Sequence, residues 1–302
     1  MKNIEYSSPG RVDISGGGAD MIGLSTISAA IDLRANVYAE KENNTKIPLI
    51  NSGLKYFDLY DEDINIGLKT EIPRNSGLGG SASICVSLTN LLNDYFDLGY
   101  TKYEIAEHAQ RIESKQMNQK NGYQDWYASE FGNILYMNFN GKDNKSIYKE
   151  PFASIEKINC NLNIVVSDTG IKHYSGFSND SIYKKYNIGD SKIRNIFQKM
   201  ERTTRECKYA MKDKDILKVG DVINENQKYV KLLNRSCEES EKLIDCASSN
   251  GALASKVTGA GNGGFVMSLC ETKSDQRNVH ESLKEISPFV HMCKIDKGCC
   301  KI

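Results

Sequence analysis

Proline is scarce, with five in 302 residues, which excludes Pro-rich linkers. No run of about 18 apolar residues occurs, so no transmembrane helix is expected. The first ten residues lack the apolar centre of a signal peptide, and none is expected. Charge of one sign is not in excess: Lys+Arg and Asp+Glu both number 39, for a formal net charge of zero. That removes the basic footprint of a nucleic-acid binder and the polybasic patch of a membrane-surface protein. Cysteine occurs nine times, an odd number, with no Cys-x-x-Cys spacing. A disulfide framework is therefore not expected, and a reduced, cytoplasmic setting fits better. The thiols read as small buried hydrophobes, and the adjacent Cys299 and Cys300 as incidental. No internal repeat or low-complexity tract is present.

What remains is an ordinary globular mixture, 39% hydrophobic and 26% charged. Residues 1–70 read as strands and turns: Val12 and Ile14, then Ile27, Ile31, Leu33 and Val37, sit in short apolar runs, and Asn51-Ser52-Gly53 signals a turn. Residues 81–96 read as a helix, because Ile84, Leu88, Leu91, Leu92, Tyr95 and Phe96 share one face of a 3.6-residue period. Thr101 and Glu104 form a capping box for a second helix through Ile105, Ala109 and Ile112. Leu135–Phe139 reads as a strand. Near residue 158 the composition shifts, and Leu162, Ile164, Val165 and Val166 open a second unit. Long helices are expected over residues 190–250, with strands at 264–269 and 289–292. Helices and strands mix in both halves, so the class is α+β or α/β.

Three segments carry chemistry. In Pro73–Ser83 three glycines stand directly before the first helix. Glycine lets a backbone approach a ligand closely, and a helix N-terminus carries about half a positive charge. The segment reads as an anion site, phosphate first, with the Ser81 and Ser83 hydroxyls within reach of a phosphate or a magnesium ion. The Walker A pattern is absent from the chain. Lys256–Gly264 contains Gly-x-Gly-x-x-Gly at Gly259, Gly261 and Gly264, but a strand-like run, Phe265–Leu269, follows it. A dinucleotide site needs a helix there, so these glycines read as a close approach of two backbones, or of a backbone and a phosphate. In Ser8–Asp20, Gly16, Gly17 and Gly18 lie between Arg11 and Asp20, the pattern of a loop around a small polar ligand. Asp20 suits substrate hydroxyls and Arg11 a transferring phosphoryl group.

Together, and in this order, the three segments resemble the motifs of the GHMP kinases, over nearly the whole chain from Pro9 to Gly264. The resemblance implies an α+β fold of two domains: a ribosomal-S5-like N-terminal ATP-binding domain, 1–157, and a ferredoxin-like C-terminal domain, 158–302. It implies ATP and Mg²⁺ as cofactors. ATP would lie against Ser76, Gly77, Leu78, Gly79, Gly80, Ser81, Ala82 and Ser83. Substrate would lie between the domains, near Gly17, Gly18, Asp20, Thr258, Gly259, Ala260 and Gly261. Gly122–Gly132 is similar to the family's catalytic stretch, which implies Asp125 as the catalytic acid–base group, with Trp126 where glutamine is commoner. Glu113, 12 residues earlier, matches the magnesium-binding glutamate, Ser81 the serine sharing the ion, and Arg11 the basic residue beside Asp125.

Galactokinases carry Glu-His-x-Asp in the first motif; this chain has Gly17-Gly18-Ala19-Asp20 instead, so galactose is not expected. The Gly-Gly-Gly-x-Asp form and Gln124–Ala128 resemble the heptose 7-phosphate kinases and related sugar 1-kinases, including fucokinases. Pro9-Gly10-Arg11 departs from that branch's Pro-Leu-Arg, and Lys172-His173 from its arginine. Mevalonate- or polyol-type kinases are the alternative within the family, and a non-catalytic sugar or nucleotide sensor is the alternative of another class. The expected partner is a small-molecule alcohol, with neither nucleic acid nor membrane; a homodimer stays open, and the adenine pocket is unassigned.

Overall fold

Strand β1 (Glu5–Ser15) is buried along nearly its whole length and runs through a 3₁₀ turn at Ala19–Ile22 into the long β2 (Ser25–Glu40). Then follow α1 (Pro48–Tyr56), β3 (Asn65–Thr70), α2 (Gly80–Tyr95), α3 (Lys102–Met117), α4 (Gln124–Phe131), β4 (Ile134–Asn138) and β5 (Ser154–Ile158). The structure, a computed structural model, describes the chain except residues 1–3, 41–46, 61, 63, 118–120, 143–151 and 172–174. The Lys172-His173 pair lies outside the described residues. All described pairings in the first sheet are antiparallel. β2 serves two partners on one edge: Ser25–Ala29 pair with β4, and Ala35–Glu40 with β3.

The second unit comprises β6 (Asn163–Asp168), α5 (Ser175–Asn187), α6 (Ser191–Lys212), α7 (Ile216–Leu232), α8 (Glu238–Ser249), β7 (Ala252–Thr258), β8 (Phe265–Cys270), α9 (Lys273–Lys284) and β9 (Val290–Cys293). Its antiparallel sheet has the order β7-β8-β6-β9, the split β-α-β plan of ferredoxin-like domains. This sheet is covered on both faces, which explains its unbroken apolar runs. Val165, Val257 and Val266 pack on Leu243 of α8 and Leu283 of α9. Ile164, Val166 and Met267 point the other way, into a core shared with Met211 of α6, Val222 of α7, and Val12 and Ile27 of the first sheet. The class is therefore α+β, with one core joining the two sheets.

The change of sheet falls between Ile158 and Asn163. The end of the chain then crosses back. β10 (Cys300–Lys301) pairs with β1. Arg34 ties this returning segment to β1: Nη1 donates to Asp296 Oδ2 at 2.6 Å, and Nη2 to Gly298 O at 3.1 Å and to Ser7 O of β1 at 2.7 Å.

Asn51-Ser52-Gly53 is a correction: it lies inside α1 and is not a turn. Gly53 is there because α1 sits close on α2, where an added Cβ would stand 2.4 Å from Leu88 Cδ2. Helix α9 was also not foreseen, although its capping box is in the sequence: Thr272 Oγ1 accepts from Asp275 N at 3.1 Å, and Asp275 Oδ2 accepts from Thr272 N at 3.2 Å.

Candidate active site

The Pro73–Ser83 segment turns through Asn75, Gly77 and Gly79, all at positive φ, and enters α2 at Gly80. A Cβ on Gly77 would stand 2.8 Å from Thr258 O, and one on Gly259 would stand 2.8 Å from Gly77 Cα. The two glycine segments are thus pressed backbone to backbone, as short contacts of this kind require glycine. The first segment joins them through β1, since Arg11 N donates to Leu78 O at 2.8 Å.

Arg11 holds Asp125 with both prongs of its guanidinium, Nε to Oδ1 at 2.8 Å and Nη2 to Oδ2 at 2.5 Å, while Nη1 donates to Gly77 O. Such a bidentate pair fixes the orientation of the carboxylate. Burial works to lower the basicity of Arg11, but the charge and hydrogen bonds of Asp125 outweigh it and raise the guanidinium further. Arg11 is buried, whereas the Asp125 side chain keeps 24% exposure.

Both groups face a cavity of about 500 Å³ between the two units. One end is apolar, with Leu49, Leu68, Ile72 and Ile84 among its lining residues. Gly80 and Ser81 line it at the start of α2, where a helix leaves N–H groups without intrahelical partners. The other end holds Asp20, Gln124, Tyr183 and Arg235.

Opposite the start of α2, Ser81 Oγ donates to Glu113 Oε1 at 2.8 Å. Glu113 Oε2 is buried without a hydrogen-bond partner. Burial pushes this carboxyl up to about 7, against the Ser81 hydrogen bond. A buried oxygen left orphaned beside a hydroxyl fits a hard cation, so the residues present suit magnesium.

Asp20 sits on the 3₁₀ turn and accepts at Oδ2 from the N–H groups of Tyr123, at 2.6 Å, and Gln124, at 2.9 Å. These bonds explain Gly122, whose Cβ would fall 1.9 Å from the same oxygen. Burial raises the Asp20 carboxyl to about 6, with the two amides opposing. Arg235 follows α7 and donates through Nη1 to Gly17 O at 3.2 Å and through Nη2 to Tyr183 OH at 3.3 Å. Tyr183 OH in turn donates to Gly18 O at 2.8 Å.

Of the expected site residues, Arg11, Gly18, Asp20, Ser76, Gly77, Gly79, Gly80, Ser81, Glu113, Asp125, Gly259 and Ala260 line the cavity. The side chains of Leu78, Ala82 and Ser83 serve the interior instead. Leu78 and Ala82 belong to hydrophobic clusters, and Ser83 Oγ donates to Pro9 O at 2.6 Å. Gly17, Thr258 and Gly261 stand behind the lining. Thr258 Oγ1 accepts from Asp13 N at 2.9 Å, and a Cβ on Gly261 would meet Arg235 O at 2.1 Å. Sequence reasoning missed Tyr183 and Arg235. Each is a single residue in a helix-rich stretch without a motif, and only the folded chain brings them to Gly17 and Gly18.

A second buried pair supports the first. Lys256 Nζ donates to Asp13 O at 2.8 Å, Asp13 Oδ2 at 3.0 Å and Val257 O at 2.9 Å. It ties β7 to β1 two residues from Arg11.

Two family models match the chain: the N-terminal domain of GHMP kinases over residues 48–133, and their C-terminal region over residues 207–287. A D-glycero-alpha-D-manno-heptose 7-phosphate kinase of Campylobacter jejuni is 26% identical over 329 aligned positions, covering 96% of each chain. A mevalonate kinase of Pyrococcus abyssi is 24% identical, covering 98% of this chain and 96% of its own. Among solved structures, Lactococcus lactis galactokinase with galactose superposes with a TM-score of 0.82 at 17% identity, covering 100% of this chain and 96% of its own. A D-glycero-D-manno-heptose 1-phosphate kinase from Bacteriodes thetaiotaomicron superposes with a TM-score of 0.74 at 20% identity, covering 99% and 98%.

Proposed function

The chain belongs to the GHMP kinases, ATP-dependent phosphotransferases with an alcohol acceptor, and from that premise we propose that it phosphorylates a sugar phosphate of the heptose 7-phosphate type at the anomeric hydroxyl. One observation carries the catalytic part: the Arg11–Asp125 pair and the Ser81–Glu113 pair face one cavity at the start of α2.

ATP would lie with its base at the apolar end and its phosphates against Ser76–Ser81. The N–H groups there need no reorganisation as charge develops on the transferring group, which is the main source of catalysis in such reactions. Ser81 and Glu113 would hold Mg²⁺, which when bound neutralises phosphate charge. Asp125 accepts the proton of the attacking hydroxyl. The alcohol oxygen forms the new bond to the γ-phosphorus as the bond to the leaving ADP oxygen breaks. Arg11 keeps the Asp125 carboxylate aimed and adds positive charge beside the transferring group.

Two features support a sugar phosphate. Asp20, fixed by two backbone amides, offers an acceptor to substrate hydroxyls. Arg235 brings a guanidinium to the same end for a substrate anion. The likeness to the heptose 7-phosphate kinase of Campylobacter jejuni agrees with this reading. Mevalonate, which also pairs an alcohol with an anion, is the second reading, favoured by the likeness to the mevalonate kinase of Pyrococcus abyssi. The test is a coupled ADP-release assay with heptose 7-phosphate, fucose, inositol and mevalonate. Heptose 7-phosphate is expected to give the highest kcat/KM. A higher value for mevalonate overturns the assignment and leaves the kinase chemistry intact.

A further inference from the structure

Away from the cavity, three side chains of metal-binding type meet where the two sheets join. Asp32 lies on β2 of the first sheet. His291 and Cys293 lie on β9, an edge strand of the second. Two residues apart on a strand, they leave the same face. Here the chain after β9 runs along β2: Asp32 N donates to Lys294 O at 3.1 Å, and Ile31 bridges Ile295. One ligand atom from each of the three side chains falls within 4.8 Å of the other two. Asp32 Oδ1 is 2.9 Å from His291 Nε2 and also accepts from Lys294 N at 2.9 Å. That backbone bond orients the carboxylate as an outer-shell partner orients a metal ligand. None of the three lines the active cavity.

We propose that Asp32, His291 and Cys293 form a binding site for a divalent ion of the zinc type, placed across the seam between the two domains. The donor set is one oxygen, one nitrogen and one sulfur. It suits zinc, cobalt or cadmium, and disfavours magnesium and calcium, which take oxygen ligands. Tetrahedral bonds of about 2.0–2.3 Å put ligand atoms roughly 3.3–3.8 Å apart. Atoms already within 4.8 Å reach that spacing by side-chain rotation. Cys293 is buried, while Asp32 and His291 keep 27% and 30% exposure. The ion is therefore sealed on its thiolate side and open to a water on the other. On binding, the sulfur–metal bond forms as the thiol releases its proton to solvent. The role is mechanical: the ion pins β2 to β9 and holds the two sheets at a fixed angle.

The test uses the full chain, stripped with chelator and titrated with cobalt in excess Mg²⁺, so that an oxygen-only site gives no thiolate signal. The wild type is expected to take about one equivalent with a thiolate-to-cobalt band, and zinc is expected to displace it and raise the thermal midpoint. Cys293→Ser is expected to lose the band. Because Cys293 sits in the core, His291→Gln and Asp32→Asn, at half-exposed positions, give an independent reading: each is expected to weaken cobalt binding by roughly tenfold or more. A wild type without the band, a band that survives Cys293→Ser, or affinity undiminished in both His291→Gln and Asp32→Asn overturns the site.

Discussion

Strand β1 carries two acid–cation pairs two residues apart, and they are built to opposite ends. Arg11 reaches Asp125, whose side chain opens to the cavity at 24% exposure. Asp13 takes Lys256, and both are sealed, at 2% and 1%. The chemistry is the same, a carboxylate beside a fixed cation. Burial separates the two: the pair with an open face is within reach of a molecule in the cavity, which is what the proposed proton transfer needs, and the closed pair is shut off from it and ties two strands together.

The largest effect expected from this contrast is on turnover. Asp125→Asn keeps the shape but removes the proposed proton acceptor, so kcat should fall on the order of 10²–10⁴-fold. ATP binding, followed by calorimetry, should change little; near-normal turnover would put Asp125 outside the chemistry. Lys256→Met attacks the closed pair. It leaves the Asp13 carboxylate buried without its cation, which costs about 3–5 kcal/mol in urea unfolding. Adding Asp13→Asn should recover most of that loss, because a neutral pair needs no compensating charge. If the double variant is no more stable than Lys256→Met, the pair is not the source of the loss.

Glu113 sharpens the comparison through pH. Burial holds its carboxyl near 7, above the ordinary 4.5. The folded chain therefore binds this proton more tightly than the unfolded chain. Its contribution is favourable at low pH and is lost as pH rises from 4.5 towards 7. In chelator, Glu113→Gln should be near-neutral for stability at pH 5 and stabilising on the order of 1–3 kcal/mol at pH 8. Equal effects at both pH values would show that Glu113 ionises normally. The smallest effect belongs to Ser83→Ala, which removes the buried bond to Pro9 O. It should cost about 1 kcal/mol in urea with kcat unchanged, whereas Ser81→Ala should raise the Mg²⁺ requirement in the same assay.

The parts of the molecule legible in the sequence are those where local chemistry and tertiary role agree. The α2 face shows its period because the large apolar residues Leu88, Leu91 and Leu92 gather toward α1 and β3, while its other buried sides carry small residues such as Ala82, Ser83 and Ser87. The glycines of the first loop and of Lys256–Gly264 show because backbone contact admits nothing larger. Asp125 and Glu113 were legible through the family pattern alone, since their own surroundings in sequence are those of surface carboxylates. Arg235 and Tyr183 were hidden for a different reason: Tyr183 is carried inside α5 and Arg235 by the turn after α7, and nothing local marks their destination. Gly53 misled because a glycine needed for helix–helix approach looks like one needed for a turn.

Arg34 and β10 set an order of assembly. As the chain leaves the ribosome, residues 5–158 emerge with that guanidinium lacking Asp296 and Gly298 and with the edge of β1 uncovered. Asp296, Gly298, Cys300 and Lys301 supply both, so the first sheet is completed only after the residues of the second have been made, and a fragment stopped near residue 158 leaves Tyr6 and Ser7 without that strand partner.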